Sequence, residues 1–243
     1  MTAKSIDIIG GKGLRLVQDS RGVKASVDGL LLARFVRPEP GWRVADLGCG
    51  NGLVGLILAS EQPECTVLGV DIQEALLTNA AESAAVNDLD NIRFLGADLR
   101  AYPWPDNLAR FDLVAANPPY RKVGTGRISP DPGRAAARHE VVGSVHDFAA
   151  SASAMLRDGG CSTWVFLAAR YQDLIEALVN AGLEAVRSRY VRSRAGDEPS
   201  LVLVEAIKGG GVGSAWQEPP LTLYRGPTGR DYTDEARELL YGG

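Results

Sequence analysis

The chain has 243 residues, with 26 basic and 30 acidic side chains and a formal net charge of −4. Its 45% hydrophobic and 23% charged content is ordinary for a globular protein, and it excludes a disordered chain, a collagen-like repeat and a polycation that coats nucleic acid. Net charge carries no information on distribution, so a local basic patch stays open. No run of about 18 apolar residues exists, so no membrane-spanning helix is expected. The first 16 residues lack a signal-peptide pattern. Cys49, Cys65 and Cys161 are odd in number and widely spaced, and only His139 and His146 accompany them. Neither a disulfide framework nor a metal site is expected, and a reducing, cytoplasmic compartment is.

Residues 1–40 read as an N-terminal cap or arm. From 43 onward, runs rich in β-branched residues alternate with helical patterns. Strands are expected at 43–47, 66–72, 92–97, 111–116 and 161–168. Helices are expected at 53–61, 73–87, 145–156 and 171–180. The fourth of these strands leads into the third helix. That helix is expected to stop at Gly159-Gly160, and the last to close at Gly182. Residues 183–191 and 201–207 read as an antiparallel hairpin. Residues 209–214 are a Gly-rich linker, and a short helix is expected near 234–241. The expected fold is α/β and Rossmann-like: a mostly parallel seven-stranded sheet with one antiparallel strand and helices on both faces. Residues 41–209 would form its domain, and 210–243 a linker and tail packed on the core. The roughly 25 residues from Pro118 to Gly143 are rich in Gly, Pro and Arg. Loops of that length are usually functional or disordered, and this one leaves the strand edge where open α/β sheets bind ligands.

The first parallel strand runs into Asp46-Leu47-Gly48-Cys49-Gly50-Asn51-Gly52. Its glycines permit a tight turn and close backbone approach by a ligand. Asp46, at the strand end, is placed to accept from an ammonium or hydroxyl group. Gly50, Gly52 and Gly55 also match GxGxxG, so a nicotinamide dinucleotide site stays open on spacing alone. Asp71 ends the second strand, where a carboxylate can hold ribose hydroxyls while Ile72 packs on a base. Asp98, followed by Leu99, ends the third, where it can accept from an adenine amine. One such Asp is explained by turn preference. Three in series beside a glycine-rich turn point to a nucleoside cofactor.

The fourth strand ends in Asn117-Pro118-Pro119-Tyr120. Proline removes a donor and fixes φ, so this segment presents acceptors: the Asn117 side-chain oxygen and the Pro118 carbonyl. Two acceptors converging on an NH₂ group draw a conjugated amine towards pyramidal geometry and free its lone pair. Tyr120 offers a face for base stacking. This arrangement suits alkylation of an amide or amino-heterocycle nitrogen and has no use in hydride transfer, which removes the nicotinamide reading.

On these motifs the core resembles the class I S-adenosyl-L-methionine-dependent methyltransferases. Residues 46–52 look like their methionine-binding loop. Asp71 matches the ribose acid, Asp98 the adenine-binding acid, and Asn117, Pro118 and Tyr120 the catalytic segment of amino-group methyltransferases. More narrowly, the chain resembles the bacterial tRNA(Val) adenine N6-methyltransferases. Residues 27–33, the Arg138-His139-Glu140 triplet and the tail at 221–233 add to that likeness. The resemblance implies S-adenosyl-L-methionine as cofactor, tRNA as substrate, and the exocyclic N6 of adenine as acceptor. It also implies that Asp28 or its neighbours close over the methionine end of the cofactor. The residues alone read Asp28-Gly29 as a turn and helix cap.

Two basic clusters are candidates for phosphate contacts: Arg121, Lys122, Arg127, Arg134 and Arg138, then Arg187, Arg189, Arg192 and Arg194. Alternate residues of a strand share a face, so the second cluster could present its arginines in pairs. The plain alternative is a solvated surface. His139 reads as structural, since an alkylated amine sheds its proton without a dedicated base. A release-factor-type protein glutamine N-methyltransferase shares the Asn-Pro-Pro-Tyr segment, because a glutamine amide is also a planar NH₂. Such enzymes carry a sizeable N-terminal helical domain, and only about 40 residues precede this core. A non-catalytic RNA-binding module is the remaining alternative.

Overall fold

Most of the apolar β-branched runs become parallel strands because a helix returns the chain to the same end of the sheet. The computed structural model describes residues 4–10, 13–19, 26–104, 110–120, 143–210 and 215–242. The chain opens with an antiparallel hairpin, β1 (Lys4–Ile9) and β2 (Leu14–Asp19), followed by α1 (Val27–Phe35). Next come β3 (Arg43–Leu47), α2 (Leu53–Glu61), β4 (Thr66–Asp71), α3 (Glu74–Val86) and β5 (Ile92–Gly96). A short 3-10 turn at Leu99–Ala101 precedes β6 (Phe111–Ala116). The second half holds α4 (Val145–Met155), β7 (Leu156–Leu167), α5 (Tyr171–Asn180), β8 (Leu183–Arg192), β9 (Leu201–Lys208), β10 (Trp216–Thr222) and α6 (Asp234–Tyr241).

The main sheet has the order β10-β8-β9-β7-β6-β3-β4-β5. Among its described strands only β9 runs antiparallel, pairing with both β7 and β8. The mostly parallel α/β fold with one antiparallel strand is therefore present, but the sheet has eight strands rather than the expected seven. The added strand is β10, which pairs parallel to β8 at the edge. Its sequence, with Pro219 and Pro220 behind a Gly-rich linker, does not read as a strand. An edge position tolerates prolines, and the register shifts between Glu218 and Leu221 where they fall. The Gly159-Gly160 pair also differs from expectation. It lies inside β7 rather than ending a helix, at a bulge between the pairs Phe111–Leu156 and Leu113–Cys161.

Two cores cover the sheet. One joins α1, α2 and α6 with the hairpin residues Leu14 and Leu16. The other joins α4 and α5. α2 is buried at every position from Leu53 to Ala59, because α1 covers the side that does not face the sheet. The N-terminal segment is thus part of the core: Leu31 and Leu32 are fully buried. A Cβ on Gly29 would come within 2.9 Å of Leu53, so a bare glycine sets how closely α1 lies on α2.

The tail is fastened to β8 by arginines. Arg187 donates to Glu205 at 2.7 Å, to Glu218 of β10 at 3.0 Å and to the Phe35 carbonyl at 2.9 Å. Its guanidinium lies 3.7 Å from the Phe35 ring centroid. With 12% of its side chain exposed, it is a largely desolvated hub joining β8, β9, β10 and α1. Arg187→Ala leaves two carboxylates without their shared cation. It should lower the unfolding free energy by about 3 kcal/mol in urea titrations, while Arg187→Lys recovers only part, lacking the planar fork. A loss below about 1 kcal/mol, the level of an exposed pair, would contradict this assignment.

Candidate active site

The register Asp46–Ala115 and Leu47–Ala116 brings the ends of β3 and β6 side by side. The glycine-rich turn and the Asn-Pro-Pro-Tyr segment therefore leave one sheet edge as neighbours. The turn is fixed by its backbone. Gly48 N–H and Cys49 N–H donate to the Val70 carbonyl at 2.8 and 3.0 Å. Gly50 N–H donates to Asp71 Oδ2 at 2.8 Å, and Gln73 N–H to Asp71 Oδ1 at 2.9 Å. Gly52 caps α2 at φ 81°, and a Cβ there would meet Ala80 at 2.9 Å. Only glycine meets both demands at that position. Cys49 is buried beside Gly69, and burial together with Asp46 and Asp71 pushes its thiol up. It is a packing residue with a neutral thiol.

Asp46 departs from its expected placement. It is 2% exposed, and its Oδ2 accepts from Gly55 N–H at 2.9 Å. Gly52 has no side chain to cap α2, and Asp46 supplies that acceptor from beneath the turn. Burial, with Asp71 nearby, pushes its carboxyl up to about 7, against the lowering effect of the Gly55 hydrogen bond. Asn51, also expected at the cofactor, donates through Nδ2 to Gln18 Oε1 at 3.0 Å, and Gln18 Nε2 donates to Asp7 Oδ2 at 2.8 Å. This chain of contacts ties the turn to the β1–β2 hairpin.

At the end of β4, Ile72 is 43% exposed, an apolar side chain standing at the edge. After β5, Asp98 caps the 3-10 turn and binds Arg100 through both oxygens, with Arg100 NH2 at 2.6 Å from Oδ2. The hydrogen bonds from Arg100 hold its carboxyl below the usual range. Leu99 is buried, and its carbonyl accepts from Ser151 at 2.7 Å.

In the Asn-Pro-Pro-Tyr segment, Pro118 is buried while Asn117 and Tyr120 are half-buried. Tyr120 packs edge-on against Phe166, with ring centroids 5.8 Å apart. Its hydroxyl lies 2.9 Å from Asp28 Oδ2 and 3.0 Å from Asn117 Oδ1. Arg170 donates to the Tyr120 carbonyl at 2.9 Å, fixing the segment's far end. Asp28 is the second residue of α1. The helix cap expected at Asp28-Gly29 is Ser26 instead, which accepts from Gly29 N–H at 3.4 Å.

The expected phosphate contacts divide. Arg121, Lys122, Arg127, Arg134 and Arg138, with His139, lie outside the described residues. The second cluster is corrected: its arginines fasten the tail. Beside Arg187, Arg189 donates to the Pro219 carbonyl at 3.0 Å and pairs with Glu235 of α6. Arg192 donates to Thr222 at 2.9 Å, and Arg194 to the Gly229 carbonyl at 2.8 Å. The pairing of Arg187 with Arg189 on one face was readable; the tail strand that pairs beside β8 and supplies their acceptors was not. Gln18, Arg100 and Arg170 were missed. Only Arg100, two residues after Asp98, carried a local signal.

A strand-edge turn rich in glycine, an acid after the next strand and an Asn-Pro-Pro-Tyr end define one class of protein, and comparison with known proteins agrees. The family described as Methyltransferase domain matches residues 38–156. A predicted O-methyltransferase from Agrobacterium tumefaciens shares the fold, with a TM-score of 0.69 at 23% identity over 87% of this chain and 94% of that one. Residues 38–156 match a methyltransferase domain, and the fold and the site resemble those of the class I S-adenosyl-L-methionine-dependent methyltransferases. Within them it is similar to the tRNA1(Val) (adenine(37)-N6)-methyltransferase of Aeromonas hydrophila, 28% identical over 82% of both chains. It is also similar to the release factor glutamine methyltransferase of Xylella fastidiosa (strain Temecula1), 36% identical over 51% of this chain and 46% of that one.

The buried Asp46 gives a pH signature. Its folded-state value, about 7, lies above its ordinary value of 3.8. The folded protein therefore binds more protons than the unfolded one between roughly pH 4 and 7, and loses stability as pH rises through that window. Asp46→Asn keeps an acceptor for Gly55 without the buried charge. Its stability relative to wild type should climb from pH 4 to 7 and level off above, in denaturant titrations at each pH. A difference that stays flat across the window would contradict the buried-charge account.

Proposed function

We propose that the protein transfers the methyl group of S-adenosyl-L-methionine to the exocyclic N6 amine of an adenine in tRNA. The observation that carries this reading is the juxtaposition of the Asn-Pro-Pro-Tyr segment with the glycine-rich turn, through the β3–β6 register. The residues at the edge fit the cofactor. Asp71 uses one lone pair on each oxygen for Gly50 and Gln73, which leaves acceptor capacity for ribose hydroxyls. Ile72 offers apolar surface to the adenine. Gly48, Gly50 and Gly52, all at positive φ, give the turn its tight path, and Asp98 and the Leu99 backbone would meet the adenine edge. Asp46 and Asn51 hold the turn from behind.

When bound, the cofactor supplies an electrophilic methyl group on a sulfonium. The protein's part is to orient the acceptor. Asn117 Oδ1 and the Pro118 carbonyl would accept the two amine hydrogens and draw the nitrogen out of conjugation. Tyr120 would form the wall on which the base stacks, worth roughly 1–3 kcal/mol. The target base must leave its own stack to enter, and proximity and alignment supply most of the acceleration. The basic run at 121–138 follows Tyr120 directly and is our candidate for contacts with the RNA backbone. A tRNA substrate also places the protein in the cytoplasm. Among the described residues no helix is long and apolar enough to cross a membrane.

Extent of similarity favours tRNA over a protein glutamine. The likeness to the tRNA enzyme runs over about four fifths of both chains, whereas the likeness to the release-factor enzyme covers about half of each. The test is incubation with methyl-labelled cofactor and, separately, total tRNA, ribosomal RNA and release factors. The expected product is N6-methyladenosine in tRNA. Asn117→Ala should reduce transfer by about a hundredfold or more while the cofactor dissociation constant stays within about threefold. Label in a release factor and not in tRNA would overturn the substrate assignment.

A further inference from the structure

Asp28 stands apart from the strand-end acids. It lies on α1, and its carboxylate meets Tyr120 across 92 residues of chain. Both ends of the contact are braced. Ser26 caps α1, and Gly29 lets α1 sit close on α2. Arg170 holds the Tyr120 carbonyl, and Phe166 supports its ring.

The Tyr120 hydroxyl stands between two oxygens, Asp28 Oδ2 at 2.9 Å and Asn117 Oδ1 at 3.0 Å. It has one proton and cannot donate to both. An ionised carboxylate is the stronger acceptor, so the proton points to Asp28. Burial, and then the Asp28 charge, hold the phenol well above its usual range, so it stays protonated. The contact with Asn117 must then run the other way. The oxygen and nitrogen of a side-chain amide exchange places by a half-turn, and the surrounding hydrogen bonds decide between them. Turned so that Nδ2 donates to the Tyr120 oxygen, the Asn117 amide has its Oδ1 released from Tyr120. If Asp28 loses its carboxylate, the Tyr120 proton goes to Asn117 Oδ1 and occupies the acceptor that an incoming amine needs.

We propose that Asp28 is a positioning residue: acting through the Tyr120 hydroxyl, it sets the Asn117 amide so that its oxygen is open to the hydrogen of a substrate NH₂ group. The assignment rests on the role given to Asn117 above. It makes a prediction that a merely structural contact does not. In an Asp28→Ala background the misdirected proton is the lesion, so deleting the hydroxyl should relieve it.

The test compares wild type, Asp28→Ala, Asp28→Asn, Tyr120→Phe and the Asp28→Ala/Tyr120→Phe double variant. Three quantities are read: methyl-transfer kinetics on tRNA, the S-adenosyl-L-methionine dissociation constant, and the Asn117 side-chain amide signal in ¹⁵N-asparagine-labelled protein, assigned by its loss in Asn117→Asp. Asp28→Ala should lower kcat by about tenfold or more, the scale of one hydrogen bond to a charged acceptor. Cofactor affinity should change by less than about threefold, and Asp28→Asn, whose neutral amide oxygen is no stronger an acceptor than that of Asn117, should recover only part of the rate. The double variant should be faster than Asp28→Ala alone, a non-additive result. The Asn117 amide signal should shift in Asp28→Ala without any substrate present. A double variant slower than both single ones, an Asn117 signal unmoved in Asp28→Ala, or a loss confined to cofactor affinity would each overturn the proposal. The amide signal separates this idea from the reading beneath it. If it shifts while wild type methylates neither tRNA nor a release factor, the functional reading fails and the positioning stands.

Discussion

The site depends on how one carboxylate holds one turn. Asp71 accepts from Gly50 N–H with one oxygen and from Gln73 N–H with the other, while the preceding Val70 carbonyl receives Gly48 and Cys49. Four backbone donors of two consecutive connections are thereby fixed to the end of β4. Such groups are costly to leave unpaired beside a buried sheet edge. Satisfying them dictates the path of the turn, the starting point of α2 and the position of Asp71 itself. Asp46 completes the arrangement from below by capping α2 where Gly52 offers no side chain. A buried acid at this point is tolerable because Gly52, at the start of α2, has no side chain to supply the acceptor that Gly55 N–H needs.

The N-terminal segment reaches this turn by two routes. Gln18 on β2 accepts from Asn51, and Asp28 on α1 meets Tyr120. One contact reaches the glycine-rich turn and the other the Asn-Pro-Pro-Tyr segment. α1 is also the cover that makes an all-apolar α2 possible. The cap, the turn and the Asn-Pro-Pro-Tyr segment therefore form one connected unit, and the tail closes the opposite end of the sheet through Arg187 and Arg189.

The strands and helices of the core were legible because their periods are clear and their ends carry glycine, proline or capping residues. Residues 43–47, 53–61, 111–116 and 171–180 match the expected bounds. The neighbouring placement of the turn and Asn117 was also legible, since both follow strands of a parallel sheet. What the sequence concealed has a common cause: contacts made far along the chain. Nothing local to Arg187–Arg194 shows that β10 will pair with that strand, and Pro219-Pro220 argues against a strand until its edge position is known. The four arginines read as a phosphate surface; Arg187 and Arg189 are instead paired with Glu205, Glu218 and Glu235, while Arg192 and Arg194 donate to Thr222 and the Gly229 carbonyl of the tail. Likewise Asp46 sits in sequence where a ligand acid is expected, and only burial shows that it faces inward.

Asp71 organises the glycine-rich turn that we propose receives the cofactor. Calorimetric titration of S-adenosyl-L-methionine into wild type and Asp71→Ala tests it most directly, with circular dichroism confirming that both are folded. Removing two charge-assisted backbone hydrogen bonds and the proposed ribose acceptor should weaken binding by about a hundredfold or more. Equal affinity in the two folded proteins would contradict the account.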